Sequence, residues 1–142
     1  TKTNWEGIGV KPDVETTAEN ALQIAHLKAL TDLTKQTPQP DKTKYFQWNL
    51  ENTKAILAPQ KISSEKLQKF IGQYGVRTIF LKDQKLYYQR NGKIAMELFA
   101  IDENTFAMAQ IPDMRIHFKL QKAQKQSLVL VFQDGRSEEH LK

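Results

Sequence analysis

The chain contains no cysteine, so disulfides, thiolate metal sites and cysteine nucleophiles are excluded together. That absence selects no compartment, since reduced cytosol and a disulfide-free periplasm both accommodate it. No apolar run approaches the roughly 18 residues of a membrane-spanning helix. Thr1 to Val10 lacks the apolar stretch of a signal peptide. Histidine is scarce: His26, His117 and His140 fall in three different segments, and none has metal-ligand spacing to another histidine or carboxylate. Each reads as a surface or boundary residue. A glycine-rich phosphate loop is missing too, because Gly72-Gln73-Tyr74-Gly75 is too short and leads into a strand. No serine stands in the glycine setting of a nucleophile elbow. Ser63, Ser64, Ser127 and Ser137 read as caps and turn residues, and neither a cofactor nor a metal is expected.

What is present is a modest core and a mixed surface. Apolar residues make up 39% of the 142, below the usual globular share, and charged residues 26%. The net charge of +5 is spread out: residues 1–36 carry four basic and five acidic side chains, 37–71 six and three, 72–142 eleven and eight. This distribution predicts a solvated face and no nucleic-acid partner. Phe80, Tyr87 and Tyr88 do interleave with Arg77, Lys82, Lys85 and Arg90, the composition of a single-strand stacking platform. Acidic residues run through the same segment, which favours a sheet with aromatic core residues and a charged outer face.

Three segments follow one another. In residues 1–36, Ile8 and Val10 suggest a short extended stretch, and Pro12-Asp13 a turn. Thr16 and Glu19 have capping-box spacing. Ala18, Leu22, Ala25, Ala29 and Leu33 then recur as one face of an amphipathic helix. Thr37-Pro38-Gln39-Pro40 breaks it. Within residues 37–71, Phe46, Leu50 and Leu57, with Tyr45 and Trp48, suggest a helix ending before Pro59. Ser63 or Ser64 should cap a short helix bearing Leu67, Phe70 and Ile71, too short to stand undocked. Residues 72–142 alternate with period two between turn signals at Asp83-Gln84, Asn91-Gly92, Asp102 to Asn104, Pro112-Asp113, Gln121 to Gln126 and Asp134-Gly135. The expected fold class is α+β: a strand and helix, a helical linker, then an antiparallel meander or half-barrel of about seven strands.

One string is specific. Asn4-Trp5-Glu6-Gly7-Ile8-Gly9-Val10-Lys11-Pro12-Asp13 resembles the closing motif of the C-terminal-processing (tail-specific) serine peptidases, in their retinoid-binding-protein-like branch. Asn20-Ala21-Leu22-Gln23-Ile24-Ala25 follows as that pattern requires. The remainder is similar to the tail of some bacterial members, at Ile62 to Leu67, Gln73 to Ile79, Lys85 to Arg90, Asn104 to Phe106, Arg115 to Phe118 and Asp134 to Arg136.

The resemblance implies that residues 1–36 end an α/β catalytic domain and that residues 72–142 form an accessory β domain. The family's nucleophile and base would lie upstream, so the chain, which does not begin with Met, reads as a C-terminal fragment, silent alone. In the tricorn-like branch the position of Glu6 belongs to the catalytic tetrad, which makes Glu6 an auxiliary catalytic candidate. Gly7 replaces that branch's Asn, and a backbone-bonding Glu6 at the domain edge is the alternative. Implied partners are the upstream catalytic domain and a peptide or protein substrate. A homodimer through residues 1–36 is a further expectation, and the implied location is periplasmic or secreted. The rival from another class is a stand-alone lipocalin-like module holding a small apolar ligand or a protein.

Overall fold

The computed structural model describes residues 13–120 and 126–142. The extended stretch expected around Ile8 and Val10 lies outside the described residues, as does most of the polar stretch from Gln121. Within them the fold is α+β. Helices α1 (Ala21–Gln36), α2 (Pro40–Leu57) and α3 (Ser64–Phe70) precede nine strands. Strands β1 (Gly72–Tyr74), β2 (Arg77–Lys82), β3 (Lys85–Arg90) and β4 (Met96–Glu97) form one antiparallel sheet in that order. A second follows in order: β5 (Phe99–Ala100), β6 (Thr105–Ala107), β7 (Met114–Lys119), β8 (Ser127–Phe132) and β9 (Ser137–Leu141).

The chain changes sheets at Leu98, which is buried and whose amide still donates to the Leu86 carbonyl. No ladder joins β4 to β5 or β1 to β9, so the sheets face each other without closing into a barrel. Nine strands replace the expected seven because β4 and β5 span only two residues each, too few to show a period.

One core lies between the sheets. Ile79, Leu86 and Tyr88 point into it from the first sheet, and Phe106, Ile116, Phe118, Leu128 and Leu130 from the second. Period-two alternation explains the choice, since residues two apart share a face. The turns are local chemistry. Asp83 and Gln84 both take positive φ, 50° and 62°, in the two-residue β2–β3 hairpin. At the β8–β9 turn, Asp134 accepts from the Arg136 amide and guanidinium.

Ser63 caps α3, its hydroxyl accepting from the Lys66 amide. Seven residues cannot hold a helix alone. Phe70 anchors it, stacked on Phe118 with ring centroids 4.3 Å apart and edge-on to Phe106 at 5.7 Å.

Helix α2 ends before Pro59 as expected and packs on β5 and β6, on the outer face of the second sheet. Arg115, which alternates with the inward-facing Met114 and Ile116, is buried beneath it. The guanidinium donates to Asn52 Oδ1 (2.8 Å), Glu51 Oε2 (3.0 Å) and the Trp48 carbonyl (2.8 Å), and lies 3.8 Å from the Trp48 ring centre. Trp48 Nε1 and Asn52 Nδ2 both donate to the Pro112 carbonyl.

Helix α1 departs from expectation twice. It starts at Ala21, with Asn20 at the cap making no side-chain cap bond, so no Thr16–Glu19 box forms. An Asn20 amide bond to the Thr17 carbonyl supplies a preceding turn instead. The face expected to seek cover is also not the one that the chain itself buries. Leu30 is buried and Ile24 and Leu27 are half-buried, and this side packs on α2. Leu22, Ala25, Ala29 and Leu33 face solvent, with Leu22 76% and Leu33 41% exposed.

Candidate functional site

A cleft of about 660 Å³ opens where the two sheets part. Tyr88, Ile94, Met96, Ile111, Met114 and Phe132 give it apolar walls. Arg77, Arg90, Lys93 and Glu138 line it too. Strand alternation brings the arginines there: Arg77 shares the face of Ile79, and Arg90 that of Tyr88. They stand directly opposite each other in the β2–β3 ladder, an arrangement that like charges disfavour. From the other sheet, Glu138 and His140 sit across from Leu130 and Leu128 on edge strand β9.

Compensation for these cations is slight. Arg77 is 7% exposed. One amino group lies 3.4 Å from His140 Nδ1 and the other donates to Glu138 Oε2 at 3.5 Å, both at the outer limit of hydrogen bonding. Donation to Nδ1 requires the imidazole tautomer protonated at Nε2, which faces Glu138 Oε2 at 3.7 Å. Arg77 Nε is buried with no hydrogen-bond partner. Among the described residues, no carboxylate lies within ion-pair distance of Arg90 or Lys93. An apolar cleft with a few convergent polar groups is the common form of a ligand site.

Other polar clusters are structural. Ser127, expected in a turn, instead begins β8 and is fully buried. Its hydroxyl donates to Glu139 Oε1 at 2.5 Å, while Lys119 holds Oε2 at 3.0 Å. The Ser127 hydroxyl, then Lys119, keep the Glu139 carboxyl below the usual range. A buried hydroxyl tied to a carboxylate joins strands and offers no accessible nucleophile. Tyr74 donates to the Phe70 carbonyl, and burial pushes its phenol up to about 12.

His117 meets the Thr105 hydroxyl at 3.0 Å, beside Asp102, which accepts from the Asn104 and Thr105 amides. Burial raises the Asp102 carboxyl, but the Asn104 amide, the Thr105 hydroxyl and amide, and then His117 outweigh it, leaving it below the usual range. A folded pKa below the unfolded one stabilises above the ordinary carboxylate value, and this is lost as pH falls through the folded pKa. Denaturant unfolding across acid pH should show that loss. Asp102→Asn, which retains an acceptor for both amides, should flatten it. An unchanged acid slope in this variant would remove Asp102 from the account.

Glu6 lies outside the described residues. His26 is exposed on α1, far in sequence from His117 and His140, and the structure gives these three no common site. Among the described residues, no group of three or more histidine or acidic side chains could hold a metal. No described helix is long and apolar enough to cross a membrane. Phe80 and Tyr87 stack on each other, 5.6 Å apart at 15°, while Tyr88 is buried in the core. Lys85 beside them is paired with Glu97.

Sequence reasoning passed over the cleft. Its signal was the alternation itself, which sets Arg77 and Arg90 on the faces of Ile79 and Tyr88, and the isolated apolar Ile94, 87% exposed at the mouth. Glu138 and His140 carried no such signal, because β9 reads Ser-Glu-Glu-His-Leu, with no apolar alternation. No family model, curated protein or solved structure matches this chain.

Proposed function

We propose that this chain is the non-catalytic C-terminal portion of a tail-specific serine-peptidase-like protein, periplasmic or secreted, whose β domain serves the upstream catalytic domain as an accessory module. The observation that carries this reading is the outward stripe of α1. A helix with Leu22, Ala25, Ala29 and Leu33 on its solvent side, opposite the side that α2 covers, is built to be covered twice. The dense resemblance of residues 4–13 supplies the identity of the missing neighbour. Glu6 would then stand at the junction, orienting a polar group of the upstream domain or bonding backbone.

Two measurements test it. Alone, the chain should neither hydrolyse unfolded protein nor be labelled by a serine-directed phosphonate; stoichiometric labelling of any serine here ends the proposal. Mixed with the domain encoded upstream in its reading frame, it should bind. Leu22→Asp with Leu33→Asp should weaken that binding by about tenfold or more. A dimer of the isolated chain that the same double substitution dissociates would assign the stripe to a second copy instead.

The inter-sheet cleft favours a second reading, a small-ligand binding module. Its volume lies within the roughly 300–1,000 Å³ of ordinary ligand sites, and it is an open cleft between two sheets where the lipocalin-like rival had a single curled sheet.

A further inference from the structure

Resting on that second reading, we infer that the cleft binds a small monocarboxylate with an apolar body, its carboxylate on Arg77. The cation balance is the first ground. Arg77, Arg90 and Lys93 line the cleft against the single carboxylate of Glu138, and two of these cations face each other across a ladder that would be more stable without them. A buried arginine is costly unless fully paired. Arg77 has one unpartnered nitrogen and two contacts at the distance limit. The fully paired Arg115 in the same fold shows what a purely structural arginine looks like here.

The second ground is geometry. A guanidinium presents a planar fork that matches a carboxylate with two parallel hydrogen bonds. Glu138 now occupies part of that fork, but its side chain is 51% exposed and can swing to solvent when a better acceptor arrives. The hydrocarbon part would lie along Met96, Met114 and Phe132, with Ile94 closing over it from the mouth. Methionine and aromatic walls adapt to a chain without demanding one shape. One anion at one end and apolar surface elsewhere describes the ligand's chemistry.

Titration calorimetry with octanoate, octan-1-ol and octylammonium tests this on the intact chain. Octanoate should bind saturably, one molecule per chain, and about tenfold or more tighter than the other two. Arg77→Met should abolish that preference, with octanoate falling to the level of octanol. If Arg77→Met does not fold, Lys93→Glu with Ile94→Glu carries the test. Both positions are exposed, so melting should not change, while octanoate affinity should fall about tenfold from repulsion at the mouth. Unchanged octanoate affinity in that variant overturns the assignment. Equal binding of octanoate and octanol overturns the carboxylate assignment but keeps the ligand-module reading. Failure of all three probes overturns both. An acetylated leucine peptide acid that binds where octanoate does not would transfer the same carboxylate chemistry to a peptide terminus and overturn the small-molecule assignment.

Discussion

Arg115→Ala is expected to destabilise the protein by about 3–5 kcal/mol, from about 1–3 kcal/mol for each buried acceptor left without its donor, while Glu51, 37% exposed, can turn to water. The guanidinium is the hub between α2 and β7. Without it, Asn52 Oδ1 and the Trp48 carbonyl lose their donor, and Asn52 is only 3% exposed, so water cannot readily replace it. Burial pulls the Arg115 pKa down, and hydrogen bonding and charge from Glu51 pull it back up. The group therefore depends on its partners as much as they depend on it. A domain holding roughly 5–15 kcal/mol in total would lose a large share of its stability. Thermal unfolding should fall by on the order of 10 °C. Arg115→Lys should recover little, because one ammonium cannot reach three acceptors in a planar fan. Trp48→Phe, which keeps an aromatic ring but loses the bond to Pro112, should cost only about 1 kcal/mol. Denaturant titration ranks the three. A loss below about 1 kcal/mol for Arg115→Ala would mean that α2 docks without its arginine.

Phe70→Ala should cost a similar 3–5 kcal/mol, by a different route. Phe70 is fully buried and joins the short α3 to the second sheet through Phe118 and Phe106. Truncation leaves a cavity that the surrounding rings cannot fill without leaving their rotamers. It also removes the aromatic pairs, worth about 0.5–1.5 kcal/mol each beyond area burial. Helix α3 then keeps Leu67 alone as its large apolar contact with the core. Hydrogen exchange should rise across residues 64–70 well above the rise in β7 and β8. Phe70→Leu, which retains most of the volume, should restore protection. Equal acceleration in all three elements would show that α3 opens only with the whole fold.

Much of this architecture is written in local chemistry. Asp83-Gln84, Asn91-Gly92 and Asp134-Gly135 mark turns because few residues accept the required backbone conformations. Ser63 marks a helix start because its hydroxyl can satisfy an orphan amide. The alternation of Met114, Ile116 and Phe118, and of Leu128 and Leu130, set them on one face before any partner sheet was known. The cleft was half legible by the same rule, at Arg77 and Arg90.

Other features had no local signature. Helix α1 carries apolar residues on two opposite sides, and periodicity cannot say which side meets α2. Ile24, Leu27 and Leu30 meet α2, and nothing local to the helix sets that side apart from the one bearing Leu22 and Leu33. Arg115 alternates like a surface residue, and only the arrival of α2 from some sixty residues earlier in the chain covers it. The sheet break at Leu98 is equally non-local, since β4 and β5 exist only because β3 and β6 offer them partners.

The sequence by itself determined the α+β class, the placing of the helices of residues 21–70 before the strands of residues 72–142, the turns and the inward faces of the long strands. Each of these depends on a residue and its near neighbours. The tertiary structure alone decided that there are two open sheets, that an arginine is locked under α2, that one side of α1 is left uncovered, and that Arg77 and Glu138 meet at one cleft. These outcomes depend on which distant surfaces compete for burial, and that competition is settled by the area and polar pairing of the whole assembly.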